Sequence, residues 1–265
     1  MKRFSFRYET STSLSAPVTA HSWLLRALPR NEAFQNVEWD SLRVSALMPD
    51  GRSMEVLAST RLDAFGSRMQ FGFIAEAHTG MSMVAEGIVS QGLYRIPGTA
   101  HGMYSASTAL TSLSDAMLGF LRNLELDSSN KTEEKARRIA SAVHEHMAYA
   151  PGSTSVATTA AQAFELGRGV CQDYAHITLA LMREAGIPAR YVCGFIPGEG
   201  ATHAWVEWFD SGLWLALDPT HDRAVEYGFI KLAHGRDSSD CPVNRGIFTG
   251  RVQQSNSVSI KVEEI

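Results

Sequence analysis

The chain has 265 residues, enough for one large domain or two small ones at roughly 150 residues each. Hydrophobic residues make up 45% and charged residues 20%, which excludes a mainly disordered, collagen-like or coiled-coil chain. Lys plus Arg number 24 and Asp plus Glu 28, a net charge of −4, so no broad basic footprint for nucleic acid exists.

No run of about 18 apolar residues suits a membrane helix, so neither a nucleic-acid nor a membrane partner is expected. The first residues, Met1 to Glu9, carry Arg7 and Glu9 where a signal peptide would need an apolar core. The three cysteines, Cys171, Cys193 and Cys241, are too few for a disulfide framework. Both features lead to the expectation of a cytoplasmic protein.

Phe4, Phe6 and Tyr8 alternate with polar residues, the period of a half-buried strand. Residues 41–47 alternate too, Asp50-Gly51 marks a turn into 53–58, and 69–74 and 83–89 continue the pattern. Residues 1–105 therefore read as an antiparallel β domain. His21 and His78 stand alone in it and suggest no chemistry. Near Pro97-Gly98 the period changes. Leu110, Leu113, Met117, Leu118 and Leu121 predict a helix over 107–124. A second opens at Thr132, taken as N-cap, with Ala136, Ile139, Ala140, Val143 and Met147 as its inner face. His144 and His146, two apart, point in different directions and do not form a metal pair.

A short helix over 159–166 ends at Gly167-Arg168-Gly169. Cys171 then opens an apolar helix that Gly186 stops. Residues 190–196, 202–209 and 213–217 read as strands. At the start of a helix, unpaired N–H groups and the dipole favour negative charge, so a thiol there has a lowered pKa. Gly167 and Gly169 would let a substrate backbone approach. A nucleophilic thiol needs a base, and the base an orienting group. If Asp210 and Ser211 are the hairpin loop, His203 and Asp218 face each other across the two strands; a one-residue shift at Gly212 would make the pair diagonal or displaced. One imidazole nitrogen then donates to the carboxylate and the other is left for the thiol.

Four motifs lie in this order: Gly169-Val170-Cys171-Gln172-Asp173-Tyr174-Ala175, Gly186-Ile187-Pro188-Ala189-Arg190-Tyr191-Val192, His203-Ala204-Trp205-Val206-Glu207 and Asp218-Pro219-Thr220. Together they resemble the transglutaminase-like superfamily, in its microbial branch described as cysteine proteases. The strand-rich first hundred residues and the tail from Gly235 to Gly250 resemble that branch too. The resemblance implies an α+β fold, with the N-terminal antiparallel β domain (1–105) followed by a papain-like transglutaminase core (106–265). It implies a Cys171-His203-Asp218 triad and no cofactor. His221 departs from the pattern, which more often has Asn there, and Ser238 stands where an aromatic is usual.

The expected chemistry is thiol-dependent acyl transfer or hydrolysis on an amide or peptide bond, through a thioester. The partner would be a peptide, a protein or a small amide. The outcome, whether protease, amidase, deamidase or cross-linking enzyme, depends on whether water or an amine resolves the thioester. The alternative is a catalytically silent binding or scaffolding module of the same fold. The Cys171 N–H is the best oxyanion donor, with Tyr149 or Gln162 as side-chain candidates. Trp205, on the strand face of His203, is a candidate site wall, with packing in the core as the alternative reading. Cys193 reads as inert core and Cys241 as an exposed loop thiol. Cys171, Cys193, His203 and Asp218 lack the spacing of a zinc site, and no Asp-rich calcium loop is present, so no metal is expected.

Overall fold

The computed structural model describes residues 1–127, 131–198 and 200–265. The alternating first hundred residues form β1 (Lys2–Leu25), β2 (Gln35–Leu47), β3 (Ser53–Glu55), β4 (Ser59–Leu62), β5 (Arg68–Ile74) and β6 (His78–Gln91), an antiparallel sheet in the order β3-β2-β6-β1-β5-β4. Phe4, Phe6 and Tyr8 point inward and are buried, as their period requires. The long strand β1 bends: its register with β6 slips between Ser13 and Val18, and Ala20 has φ 50°. Its first half pairs with β6 and its second half with β5. His21 and His78, isolated in sequence, meet across this sheet. The His78 Nδ1–H donates to the Glu76 carbonyl, so its Nε2 accepts from His21 Nδ1 at 3.0 Å.

The middle of the chain supplies the helices. Strand β7 (Ile96–Pro97) precedes α1 (Asp115–Asn123), α2 (Thr132–His146), β8 (Ala148–Tyr149), α3 (Ala160–Leu166), β9 (Arg168–Gly169) and α4 (Cys171–Glu184). Helix α1 starts eight residues later than its apolar spacing predicts. Ser107 and Thr108 instead bond locally to Thr111, and Ser114 caps the helix; short hydroxyl side chains offer the backbone this alternative to helix. Helix α2 buries Ala136, Ile139, Ala140 and Val143, and the fifth predicted inner residue, Met147, is buried at its C-cap. Its N-cap position falls on Lys131, without a side-chain cap, rather than on Thr132.

A second antiparallel sheet, β13-β12-β11-β10-β14, comprises β10 (Ala189–Phe195), β11 (His203–Asp210), β12 (Leu213–Asp218), β13 (Arg223–Ala224) and β14 (Ile230–Gly235). The fold class is thus α+β with antiparallel sheets. The chain crosses the expected 105/106 division in both directions. Strand β7 pairs with β12 in the second sheet. Strands β15 (Asn244–Thr249) and β16 (Gln254–Glu264) return to flank β1 in the first. One hydrophobic core runs through both sheets: Phe195 of β10 stacks on Tyr8 at 5.4 Å and lies 5.9 Å from Phe6.

Buried amides also bridge the sheets. Gln35 Nε2 donates to the Lys231 carbonyl at 3.0 Å and Gln91 Nε2 to the Phe229 carbonyl at 2.9 Å. A buried polar group must find such a partner or lose on the order of 1–3 kcal/mol.

Candidate active site

Helix α4 is buried from Asp173 to Arg183, so its first residue, Cys171, is set by the surrounding core. Cys171 itself is partly exposed. Its N–H and that of Gln172 lie in the first helical turn, where no intrahelical acceptor exists. The turn is held from below. Asp173 is buried, and its Oδ2 accepts from the Val170 N–H at 2.8 Å and from the Thr154 hydroxyl at 2.7 Å. Burial pushes this carboxyl up, against those two bonds. A Cβ at Gly169 would sit 2.5 Å from Asp173 Oδ2. Gly169 is therefore required by Asp173 packing over it, and Gly167, with φ 61°, by the left-handed cap of α3. Both glycines have structural roles, whereas the sequence suggested substrate approach.

His203 begins β11, beside Gly194 of β10. Asp218 ends β12. The hairpin between them turns on Ser211 and Gly212, with φ 48° and 85°, the left-handed pair of a type I′ turn. Asp210 consequently pairs with Leu213, and Val206 with Leu217. His203 and Asp218 are diagonal neighbours, not directly opposed as expected from an Asp210-Ser211 loop. The bond forms nonetheless: His203 Nε2–H donates to Asp218 Oδ2 at 3.0 Å, with both side chains buried. Nδ1 is thereby the ring nitrogen not bonded to Asp218.

Asp218 carries more than one partner. His221 Nδ1–H donates to the same Oδ2 at 2.7 Å, the Thr220 N–H donates to Oδ1 at 3.1 Å, and Arg223 Nε lies 3.7 Å away. Burial pushes the Asp218 carboxyl up, but the bonds and charges of His203 and His221 outweigh it and hold it below its ordinary value. Helix α2 buttresses this turn, with His144 Nδ1 donating to the Thr220 carbonyl at 3.0 Å. Sequence reasoning noted His221 only as a departure from the pattern. Its place three residues after Asp218 was the available signal.

Cys171 and His203 line one cleft of about 550 Å³, together with Tyr149, Gln172, Ser238 and Asn244. Of the two side chains proposed as oxyanion donors, Tyr149 lies on this cleft and Gln162 does not. Gln162 Oε1 accepts from the Thr159 N–H at 3.0 Å in a capping box that starts α3. Trp205 is not a cleft wall either. It is fully buried behind His203, with ring centroids 6.4 Å apart, and its Nε1–H donates to the Tyr94 hydroxyl at 3.1 Å.

Tyr94 in turn donates to Glu207, whose carboxylate is bound by Arg190 and by Lys231 at 2.7 Å. Burial pushes Glu207 up, but the charges of Arg190 and Lys231 outweigh it and bring it down to about 2. Cys193 and Cys241 line the cleft but are buried. For Cys241 this corrects the expected exposed thiol: it packs into the hydrophobic core beside Cys193, whose Sγ–H donates to the Cys241 carbonyl. Burial, reinforced by the neighbouring Cys193, pushes the Cys241 thiol well up.

Three comparisons bear on this arrangement. The sequence pattern described as the Transglutaminase-like superfamily matches residues 121–219. An uncharacterized Mycobacterium leprae protein is 35% identical over 127 residues, 44% of this chain and 45% of that protein; the chain thus spans less than half of its length. The Protein-glutamine gamma-glutamyltransferase of Pseudomonas aeruginosa is 36% identical over 98 residues, 31% of this chain and 15% of that protein. The crystal structure of a "Putative Cysteine Protease" from Cytophaga hutchinsonii superposes over 100% of this chain and 91% of that one, with a TM-score of 0.74 at 21% identity. At that identity the likeness establishes the shared fold.

Proposed function

The chain carries a transglutaminase-like core at residues 121–219, and from that premise we propose that it is a thiol enzyme acting on an amide or peptide bond through a Cys171-His203-Asp218 triad. The observation that carries the reading is the His203 Nε2–Asp218 Oδ2 bond of 3.0 Å at the end of a cleft that also holds Cys171. The bond fixes the neutral imidazole tautomer with its proton on Nε2. Nδ1 then takes the Cys171 proton, and the buried carboxylate stabilises the imidazolium.

The thiolate attacks the amide carbonyl. The developing oxyanion is met by first-turn N–H groups of α4, with the Tyr149 hydroxyl and the Gln172 amide as side-chain candidates on the cleft. The tetrahedral adduct collapses as His203 returns the proton to the departing amine, leaving a thioester on Cys171. Water, deprotonated by His203, releases the acid and restores the thiol. Cys171 is partly exposed and Tyr149 half exposed beside it. Water can therefore reach the thioester, and hydrolysis is the outcome we favour over transfer to an amine.

Iodoacetamide labelling at pH 6, read by mass spectrometry for each cysteine, tests the triad. Cys171 is expected to label faster than Cys193 and Cys241, but exposure alone would give that order. The deciding variant is His203→Ala, expected to slow Cys171 labelling at least about tenfold by removing the imidazolium that stabilises the thiolate. Asp218→Asn should slow it less, because Asp218 acts through His203. A His203→Ala protein that labels like the wild type would discard the triad.

A further inference from the structure

His221 does more than add a hydrogen bond to Asp218. One imidazole nitrogen of His203, a carboxylate oxygen of Asp218 and one imidazole nitrogen of His221 all lie within 4.8 Å of one another. Two imidazole nitrogens and one carboxylate oxygen are a common transition-metal donor set, and zinc binds such atoms at about 2.0–2.2 Å. Neighbouring ligand atoms then stand on the order of 3.3 Å apart, estimated from tetrahedral geometry at those bond lengths. The carboxylate oxygen now sits 3.0 Å from one nitrogen and 2.7 Å from the other, so small side-chain shifts would reach that spacing. His203 and Asp218 are buried, whereas the His221 side chain is 37% exposed and gives an ion a way in. The Thr220 hydroxyl, in the same turn, is buried without a hydrogen-bond partner among the described residues, and a metal-bound water would offer one.

We propose that His203, Asp218 and His221 form an inhibitory site for a divalent transition metal, zinc in the first instance, that switches the proposed triad off. Inhibition rests on the triad reading; metal binding does not. The chemistry balances without an added reactant. In the metal-free protein the His203 Nε2–H and the His221 Nδ1–H are both directed at Asp218. Zinc takes those two nitrogens as ligands, and each ring's proton moves to its other nitrogen. His203 Nδ1, the lone pair that would deprotonate Cys171, becomes an N–H, and the imidazole can no longer act as a base. An Asn at position 221 would leave two protein ligands instead of three, so the site belongs to this chain's His221. Arg223, 3.7 Å from the carboxylate, must swing aside and weakens the site without filling it.

The full chain, stripped with a chelator, should be titrated with zinc chloride by calorimetry as wild type, Cys171→Ser, His221→Asn and His221→Ala. One equivalent is expected to bind wild type and Cys171→Ser alike, with affinity at least tenfold lower in both His221 variants. Cobalt(II) should give the visible bands of a nitrogen- and oxygen-ligated ion without a thiolate charge-transfer band. Zinc should slow Cys171 labelling severalfold in wild type and far less in His221→Asn, each compared with its own metal-free rate. Loss of binding in Cys171→Ser, or undiminished binding in both His221 variants, overturns the site. If metal-free Cys171 proves no more reactive in wild type than in His203→Ala, the triad reading fails, while calorimetry on Cys171→Ser still decides whether the metal binds.

Discussion

Cys171 owes its position to a residue that does no chemistry. Asp173 binds the Val170 N–H and the Thr154 hydroxyl, joining the turn before α4 to the loop that follows β8. The space it needs is created by the missing side chain at Gly169. Gly169→Ala drives a methyl group into the carboxyl, and overpacking of this kind costs about 1–3 kcal/mol. Thermal unfolding should report that loss. Cys171 labelling should fall with it, because the helix start tilts. A destabilised Gly169→Ala protein with unchanged labelling would mean that the carboxyl does not set the thiol's position.

At the scale of the element, the β11–β12 hairpin decides whether His203 and Asp218 meet. Ser211 and Gly212 both adopt left-handed φ, and a β-branched residue at 212 is poorly tolerated there. Gly212→Val is expected to cost about 1–2 kcal/mol and to displace Asp218 from His203, lowering turnover or labelling. Ser211→Asn, which suits the first left-handed position better, should raise the melting temperature and leave labelling intact. Equal effects of the two substitutions would contradict the turn assignment.

The same hairpin shows what sequence makes legible. Both strands, and the His and Asp at their outer ends, follow from period two and the four motifs. The register does not follow from period, because Asp210-Ser211-Gly212 permits two different two-residue loops. Only the backbone demand of a type I′ turn selects Ser211-Gly212, and glycine's preference for its second position was the readable clue. Likewise the apolar stripe of α2 was legible to the residue. The capping role of Gln162 and the burial of Trp205 were not, since each residue type serves equally well in a site and in a scaffold.

For the whole molecule, the unread part is the buried polar framework joining the two sheets, because a Gln, Glu or Lys gives no periodic sign that it will be buried. Together with histidines buried elsewhere, it makes stability fall with acid in two overlapping steps. His176 is buried, and burial, with the Arg183 charge, brings it from 6.5 down to about 4; its Nε2 accepts from the Ser238 N–H at 3.2 Å. The folded state therefore resists a proton that the unfolded chain accepts, and stability is lost as pH falls from 6.5 towards 4. Glu207, held at about 2 against an ordinary 4.5, contributes stability that is lost as pH falls from 4.5 towards 2. The first step amounts to at most about 3 kcal/mol at 1.36 kcal/mol per unit. His176→Gln should lessen the melting-temperature decline between pH 6.5 and 4 without abolishing it, because burial also lowers His21 and His234, and should leave the decline below it. A wild-type profile flat across that interval would assign the histidine a different environment.

Strand β1 is flanked by β6 on one side and β16 on the other, so that Phe4 faces both Val89 and Glu264. On a ribosome these partners emerge at very different times. The β6 side can close once residues 78–91 have emerged. The other side, from Phe4 to Leu14, presents bare N–H and C=O groups until residues 254–264 leave the exit tunnel. An open strand edge of that length invites pairing with a second nascent chain, and a contact this distant in sequence forms late. The polar residues Glu9, Ser11, Thr12 and Ser13 of β1, which later face Ser259, Ser257, Asn256 and Ser255 of β16, keep that waiting edge hydrophilic. Selection on these residues can thus act through the yield of newly made protein, far from the thiol and without touching its chemistry.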